Sequence, residues 1–173
     1  PLQTLGGYAA FSAAFSPDGQ ILAVGYIASV GLYNVDDLSL IGRLDSADVA
    51  RNLTFSPDGS LLASSSDIWQ VAERRLLYHL QSSGDATAFT MDGQILVVGR
   101  NMWRVTSGQR VKQLKSPIPE NPRTNDVWDS LAMSPDGGLL AWGMPDGLHI
   151  WGLPDGLAPA AGDSTSSYIV QPG

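Results

Sequence analysis

The sequence predicts an all-β chain built from four copies of one four-stranded antiparallel unit. Three observations carry that prediction. The pentapeptide FSPDG stands at Phe15–Gly19 and again at Phe55–Gly59, with FTMDG at Phe89–Gly93 and MSPDG at Met133–Gly137. An apolar run follows each copy: Ile21-Leu22-Ala23, Leu61-Leu62-Ala63, Ile95-Leu96-Val97 and Leu139-Leu140-Ala141. An aromatic residue comes next, as Tyr33, Trp69, Trp103 or Trp151. A strand–turn–strand pattern that recurs along a chain is the signature of a repeat protein.

The pentapeptide is turn chemistry. Proline presets φ at the second turn position, aspartate suits the third, and glycine takes the positive φ that ends the turn. With apolar residues on both sides, each copy reads as the connection of an antiparallel hairpin. The third copy has Thr90-Met91 for Ser-Pro. It loses the preset φ and keeps Asp92-Gly93.

Taken in order, Pro1–Leu5 reads as a lone strand similar to the outer strands that follow. The first unit has strands A to D at about Ala9–Phe15, Ile21–Gly25, Val30–Val35 and Leu38–Leu44. The second has Val49–Phe55, Leu61–Ser65, Asp67–Val71 and Arg75–Leu80, and the third Asp85–Phe89, Ile95–Gly99, Asn101–Val105 and Arg110–Leu114. The fourth has A at Val127–Met133, B at Leu139–Gly143 and C at Leu148–Trp151, without a clear D strand.

Spacing sorts the units into two kinds. From the second apolar residue of strand B to the aromatic of strand C is 11 residues in units one and four, and 7 in units two and three. The difference removes two residues from each arm of the B–C hairpin. An even trim keeps every side chain on its own face, so units two and three should have a lower rim there. Two stretches break the pattern. KSPIPENPRTN at Lys115–Asn125 carries three prolines and reads as a long surface loop. Leu157–Gly173 is rich in Ala, Ser, Gly and Pro and reads as a tail or linker, in which Tyr168-Ile169-Val170 could add one strand.

Four-stranded units with FSPDG between strands A and B, and an aromatic closing strand C, resemble the WD-repeat family of β-propellers. The resemblance covers about residues 1–156 as four blades. It implies an all-β propeller, either complete in this chain or part of a larger ring, that presents its rim to protein partners without catalysis. It also implies that the repeat positions Phe15, Phe55, Phe89, Met133, Tyr33, Trp69, Trp103 and Trp151 are structural. Two family features are missing. The residues after the aromatics are Asn34, Gln70, Arg104 and Gly152, not Asp, and Gly6-Gly7-Tyr8 stands where the family has Gly-His. The usual buried His–Asp network thus lacks its usual members.

Composition bounds the function. A chain of 173 residues is about one domain and should bury roughly 70% of its unfolded surface. With no cysteine, disulfides and thiolate metal sites are excluded. A net charge of −7 argues against nucleic acid or an anionic membrane as the main partner. The longest uncharged run, Gly19–Val35, is interrupted by polar residues and glycines, and falls short of the roughly 20 residues that span a bilayer. The chain starts at Pro1 without a signal-peptide pattern, and reads as processed or as a piece of a longer protein. The compartment is not legible.

A search for chemistry finds little. His79 on an outer strand and His149 between Leu148 and Ile150 each lack neighbouring ligand residues in sequence, so both read as structural. There is no nucleophile elbow, phosphate loop or H-E-x-x-H. Asp18, Asp58, Asp92, Asp136, Asp146 and Asp155 all stand in Asp-Gly turns without the alternating spacing of a calcium loop. Asn52-Leu53-Thr54 is a formal glycosylation sequon on an inner strand, where a glycan would not fit. No cofactor or metal is expected.

Charge is uneven along the chain. Residues 1–98 carry net −6, residues 99–125 net +5 and residues 126–173 net −6. The basic sector holds Arg100, Arg104, Arg110, Lys112, Lys115 and Arg123. Arg100, Lys112, Lys115 and Arg123 are the candidate partner contacts, for an acidic protein or peptide. The other reading is ordinary solvated edges with chance clustering. A competing function is a structural subunit whose open blade edges complete a ring or larger complex with other chains, including copies of itself. Pro1–Leu5 is then a spare strand able to complete a last blade that lacks its own.

Overall fold

The computed structural model describes residues 9–81, 86–114, 130–134, 138–144 and 147–152, together with the strand Ser167–Val170. Every regular element among them is a β-strand. The chain divides into two compact units, Pro1–Gln81 and Ser82–Gly173, and each unit contains two antiparallel sheets.

Blade one has β1 (Ser12–Phe15), β2 (Ile21–Asn34) and β3 (Leu40–Val49). Fourteen residues of straight strand would extend roughly 45 Å. Yet the Val35 N–H donates to the Gln20 carbonyl at 2.9 Å, so β2 folds back on itself. Ala28 sits in the left-handed region at φ 58°. The same closing bond recurs from Val71 to Ser60 at 3.0 Å and from Val105 to Gln94 at 2.9 Å. Blade one therefore has the same four-stranded layout, its B and C arms fused in β2.

Blade two is β4 (Thr54–Phe55), β5 (Leu61–Ala63), β6 (Asp67–Gln70) and β7 (Arg75–His79). Its strand A is shorter than the expected Val49–Phe55. Val49 belongs to β3, and Asn52 takes a positive φ of 52°, which asparagine tolerates better than most residues. Blade three is β8 (Thr87–Phe89), β9 (Ile95–Val98), β10 (Asn101–Arg104) and β11 (Gln109–Gln113). Blade four is β12 (Ser130–Met133), β13 (Leu139–Met144), β14 (Gly147–Gly152) and β15 (Ser167–Val170).

β15 supplies the strand the sequence left open. It pairs with β14 from Leu148↔Val170 to Trp151↔Ser167. The region assigned to a tail thus contributes the outer strand of blade four, at the edge reserved for Pro1–Leu5. Pro1–Leu5 itself lies outside the described residues.

Register bears out the spacing argument. Leu62 pairs with Trp69, Leu96 with Trp103 and Leu140 with Trp151. The B–C hairpin of blade four runs on to Met144↔Gly147, whereas that of blade two stops at Ala63↔Ile68. The lower rim follows directly. One regularity was not foreseen. In three blades the outer strand carries one extra residue, opposite the step into the aromatic: Ile41, Leu77 and Val111. A bulge of this kind bends a strand and increases its twist.

Packing defines two faces per blade. In the first unit, Phe55, Leu62 and Trp69 of blade two join Ala23, Leu32 and Leu44 of blade one in one buried cluster. In the second unit, Leu140 and Trp151 of blade four, with Met133 against them, join Val97, Met102 and Leu114 of blade three. The front face of a blade thus carries the residue before the A–B turn, the second apolar residue of strand B and the aromatic. The back face carries the third residue of the apolar run, the residue before the aromatic and the last apolar residue of the outer strand. Burying both faces leaves little polar alternation in the inner strands, as in β9, where all four residues are buried.

Candidate interaction surface and the joints that hold it

The A–B turns show why the pentapeptide recurs. Gly19, Gly59 and Gly93 all have φ near 70°, and each donates its N–H to the carbonyl of Ser16, Ser56 or Thr90. The hydroxyl of that Ser or Thr donates to the turn aspartate at 2.5–2.6 Å. It also accepts the N–H of Ile21, Leu61 or Ile95, at the start of strand B. The aspartate accepts a second N–H, from Gln20, Ser60 or Gln94. The common core is therefore hydroxyl, carboxylate and glycine. Proline is the part that can vary, and Thr90-Met91 keeps the hydroxyl while losing the ring. These bonds hold the Asp18 carboxyl below its ordinary range, chiefly through the Ser16 hydroxyl and then the Gln20 N–H. Asp58 is lowered the same way, first by the Ser56 hydroxyl and then by Ser60.

The joint between blades one and two is polar as well as apolar. Asp67, at the start of strand C, is fully buried. Its Oδ1 lies 2.7 Å from His79 Nδ1, and its Oδ2 accepts the Ser46 hydroxyl at 2.6 Å. His79 comes from the outer strand of the same blade, Ser46 from the outer strand of blade one. The Trp69 indole N–H donates to the Asp45 carbonyl at 2.9 Å. Arg74, at φ 51°, donates to the Ile41 carbonyl at 3.0 Å over Gly42, where a Cβ would collide with the guanidinium stem. A buried His–Asp network therefore exists, built from other positions than those of the family signature. His79 itself remains 48% exposed. The signal was available: strands C and D place Asp67 opposite His79 in register.

The repeat aromatics are not equivalent in burial. Trp69, Trp103 and Trp151 are buried, as are Phe55 and Phe89. Tyr33 and Met133 are half-buried. Phe15 is 64% exposed. It stands on the front face of blade one, and no cluster among the described residues covers it. His149 is buried and stacked on Trp151 at 5.6 Å between ring centres, with Trp142 tilted against Trp151 at 5.2 Å.

The basic sector falls on blade three. Arg104, Arg110 and Lys112 lie on β10 and on β11, the edge strand of the sheet. Arg100 precedes β10, and its carbonyl accepts the N–H of Leu114. Lys112 stands opposite Met102 and Arg110 opposite Trp103. Neighbouring residues of a strand point to opposite faces, so these two cations share an edge rather than one face. Arg110 is exposed and reaches Asn101 Oδ1 at 3.4 Å, whereas Arg100, Arg104 and Lys112 are half-buried. Lys115 and Arg123 lie outside the described residues. Among the described residues, no three His, Asp or Glu residues are grouped to hold a metal, and no helix is long and apolar enough to cross a membrane.

The family model for the WD domain, G-beta repeat, matches residues 39–67. The match starts beside the outer strand of blade one, crosses strands A and B of blade two and ends on Asp67, the buried carboxylate of the joint. The match and the four-stranded antiparallel sheets fit a divergent WD-repeat protein. The antiparallel sheets of each unit are consistent with blades of a WD-type β-propeller. No curated protein matches the chain. WD repeats in general serve protein–protein interaction, and WD domains are typically non-catalytic scaffolds.

Proposed function

We propose that this WD-repeat protein is a non-catalytic scaffold, and that the outer edge of blade three docks an acidic protein segment. The observation behind the reading is the placement of Arg104, Arg110 and Lys112 on two neighbouring strands of one edge, in a chain whose net charge is −7. An edge strand also offers unpaired backbone groups to an added strand. Cations flanking it would choose an acidic one and speed its encounter. Lys115 and Arg123 extend the same basic stretch in sequence.

The test is binding of a fluorescent acidic peptide to the wild-type chain and to Arg110→Glu with Lys112→Glu. Binding should weaken with added salt and be lost in the double variant. Equal binding by both proteins would contradict the reading.

A further inference from the structure

The turn between strands C and D takes one form in blades one and three. Val35 and Val105 each close the inner hairpin, on the carbonyls of Gln20 and Gln94. Three residues later the chain passes through the left-handed region, at Leu38 with φ 58° and at Gly108 with φ 63°. The N–H of that residue donates to the carbonyl of Asn34 or Arg104, at 2.9 and 2.8 Å. The two turns therefore correspond residue by residue. Asp36 matches Thr106, Asp37 matches Ser107 and Ser39 matches Gln109.

Blade one supplies this turn with its own carboxylate. Asp37 Oδ1 accepts the N–H of Ser39, the residue before β3, at 2.9 Å. The Ser39 hydroxyl and then this N–H hold the Asp37 carboxyl below its ordinary range. Blade two keeps an acid at the same place, Glu73. Blade three does not. It has Ser107 there, exposed, and among the described residues no carboxylate meets the N–H of Gln109, the first residue of β11. The charge beside the turn changes too. Arg104 stands where blade one has Asn34, and Arg110 where it has Leu40. Arg104 lies opposite Gln109 and Arg110 opposite Trp103, so one cation borders the turn on each face.

We propose that the turn Thr106–Gly108 is the seat for an acidic side chain of the partner, whose carboxylate accepts the Gln109 N–H and the Ser107 hydroxyl between Arg104 and Arg110. The inference rests on the docking proposed above and says where on that edge the acid sits: at the start of β11, not beside Lys112. Blade one shows what fills such a turn, and the two cations favour the same occupant from outside the chain. Hydrogen bonds to an ionised acceptor are stronger than neutral ones. They add direction to an attraction that the cations exert at longer range.

The test follows a fluorescent oligoglutamate peptide and the backbone amide of Gln109 in the full chain. In nuclear magnetic resonance, the Gln109 amide proton should move downfield as the peptide is added. Ser107→Asp gives blade three the acid of blade one. It should move that amide downfield without peptide, and weaken peptide binding roughly tenfold or more. Gln113→Glu adds the same charge at the far end of β11 and should weaken binding less. Ser107 and Gln113 are both exposed, so neither change disturbs packing. Binding by Ser107→Asp as tight as that of the wild type, or no weaker than that of Gln113→Glu, overturns the seat. So does a Gln109 amide that the peptide leaves unmoved. Arg110→Glu with Lys112→Glu separates the two proposals. Binding lost there but untouched by Ser107→Asp refutes the seat alone, whereas binding kept there refutes docking at this edge and the seat with it.

Discussion

Replacing Asp67 by Ala tests the polar joint between blades one and two. The carboxylate is fully buried and makes two short bonds, 2.6 Å to Ser46 Oγ and 2.7 Å to His79 Nδ1. A hydrogen bond to a charged group contributes about 1.5–3 kcal/mol. The gross loss for two is offset because burying a carboxylate is itself costly. His79 can also turn to solvent, since it is 48% exposed. The net loss worked from these terms is about 2–4 kcal/mol. With a urea slope of about 1–3 kcal/mol per molar, the midpoint should fall by roughly 1–3 M. The readout is urea unfolding followed by tryptophan fluorescence, since Trp69 is bonded into the same joint. His79→Ala removes one of the two bonds and should cost less than Asp67→Ala. The double variant should lose less than the sum of the singles, because the second substitution has no bond left to break. An unchanged midpoint in Asp67→Ala, or full additivity with His79→Ala, would refute the joint as drawn.

Other consequences follow from the same structure. Trp69→Ala should cost about 3–5 kcal/mol, the usual cost for a buried aromatic, and unchanged thermal unfolding would contradict its role. Met91→Pro should stabilise the chain by about 0.4–1 kcal/mol, because the equivalent position is proline in the three other copies of the pentapeptide and Met91 is exposed; a lowered melting temperature would show that the third turn differs. The turn aspartates make stability depend on pH. Asp18 and Asp58 are depressed in the folded state, so the unfolded chain binds more protons. Their contribution is present above the ordinary carboxylate pKa and is lost as pH falls through the depressed folded values. Asp18→Asn with Asp58→Asn should flatten the acid limb of a stability–pH profile and leave its dependence near neutrality unchanged. A limb of undiminished slope would point to other groups.

Much of the fold was legible because turns and strand periods are local. The recurring pentapeptide located every A–B hairpin, and its spacing to the aromatic set the B–C register to the residue. For the outer strand of blade four, the sequence marked Tyr168-Ile169-Val170 as able to add a strand but not where that strand would pair. Between Gly152 and Ser167 the sequence offers turn and linker residues, and pairing of β15 depends on an edge that only the folded sheet provides. The bulges at Ile41, Leu77 and Val111 were hidden for a related reason: an extra residue in an apolar outer strand leaves no mark in composition. The Asp67 network escaped because its members come from three strands of two blades, and a search for metal or catalytic spacings passes over a single Asp among serines. The exposure of Phe15 could not be read from the repeat pattern, which describes what a blade presents, not whether a neighbour covers it. For the basic sector, the sequence showed the clustering of charge. The bulge at Val111 then decided that Arg110 and Lys112 stand opposite neighbouring residues of β10.

The claim on which the rest depends is that, within each unit, the front face of one blade packs on the back face of the blade before it. It is tested most directly by thiol labelling at one repeat position, the third residue of the apolar run. Ala23, Ala63 and Val97 are fully buried there, while Ala141 is half-buried. In a chain without native cysteine, Ala23→Cys, Ala63→Cys, Val97→Cys and Ala141→Cys each carry a single reporter. At high dilution the first three should react only as fast as the fold opens, and Ala141→Cys should react at close to the rate of an accessible thiol. Comparable rates at all four positions would contradict the packing.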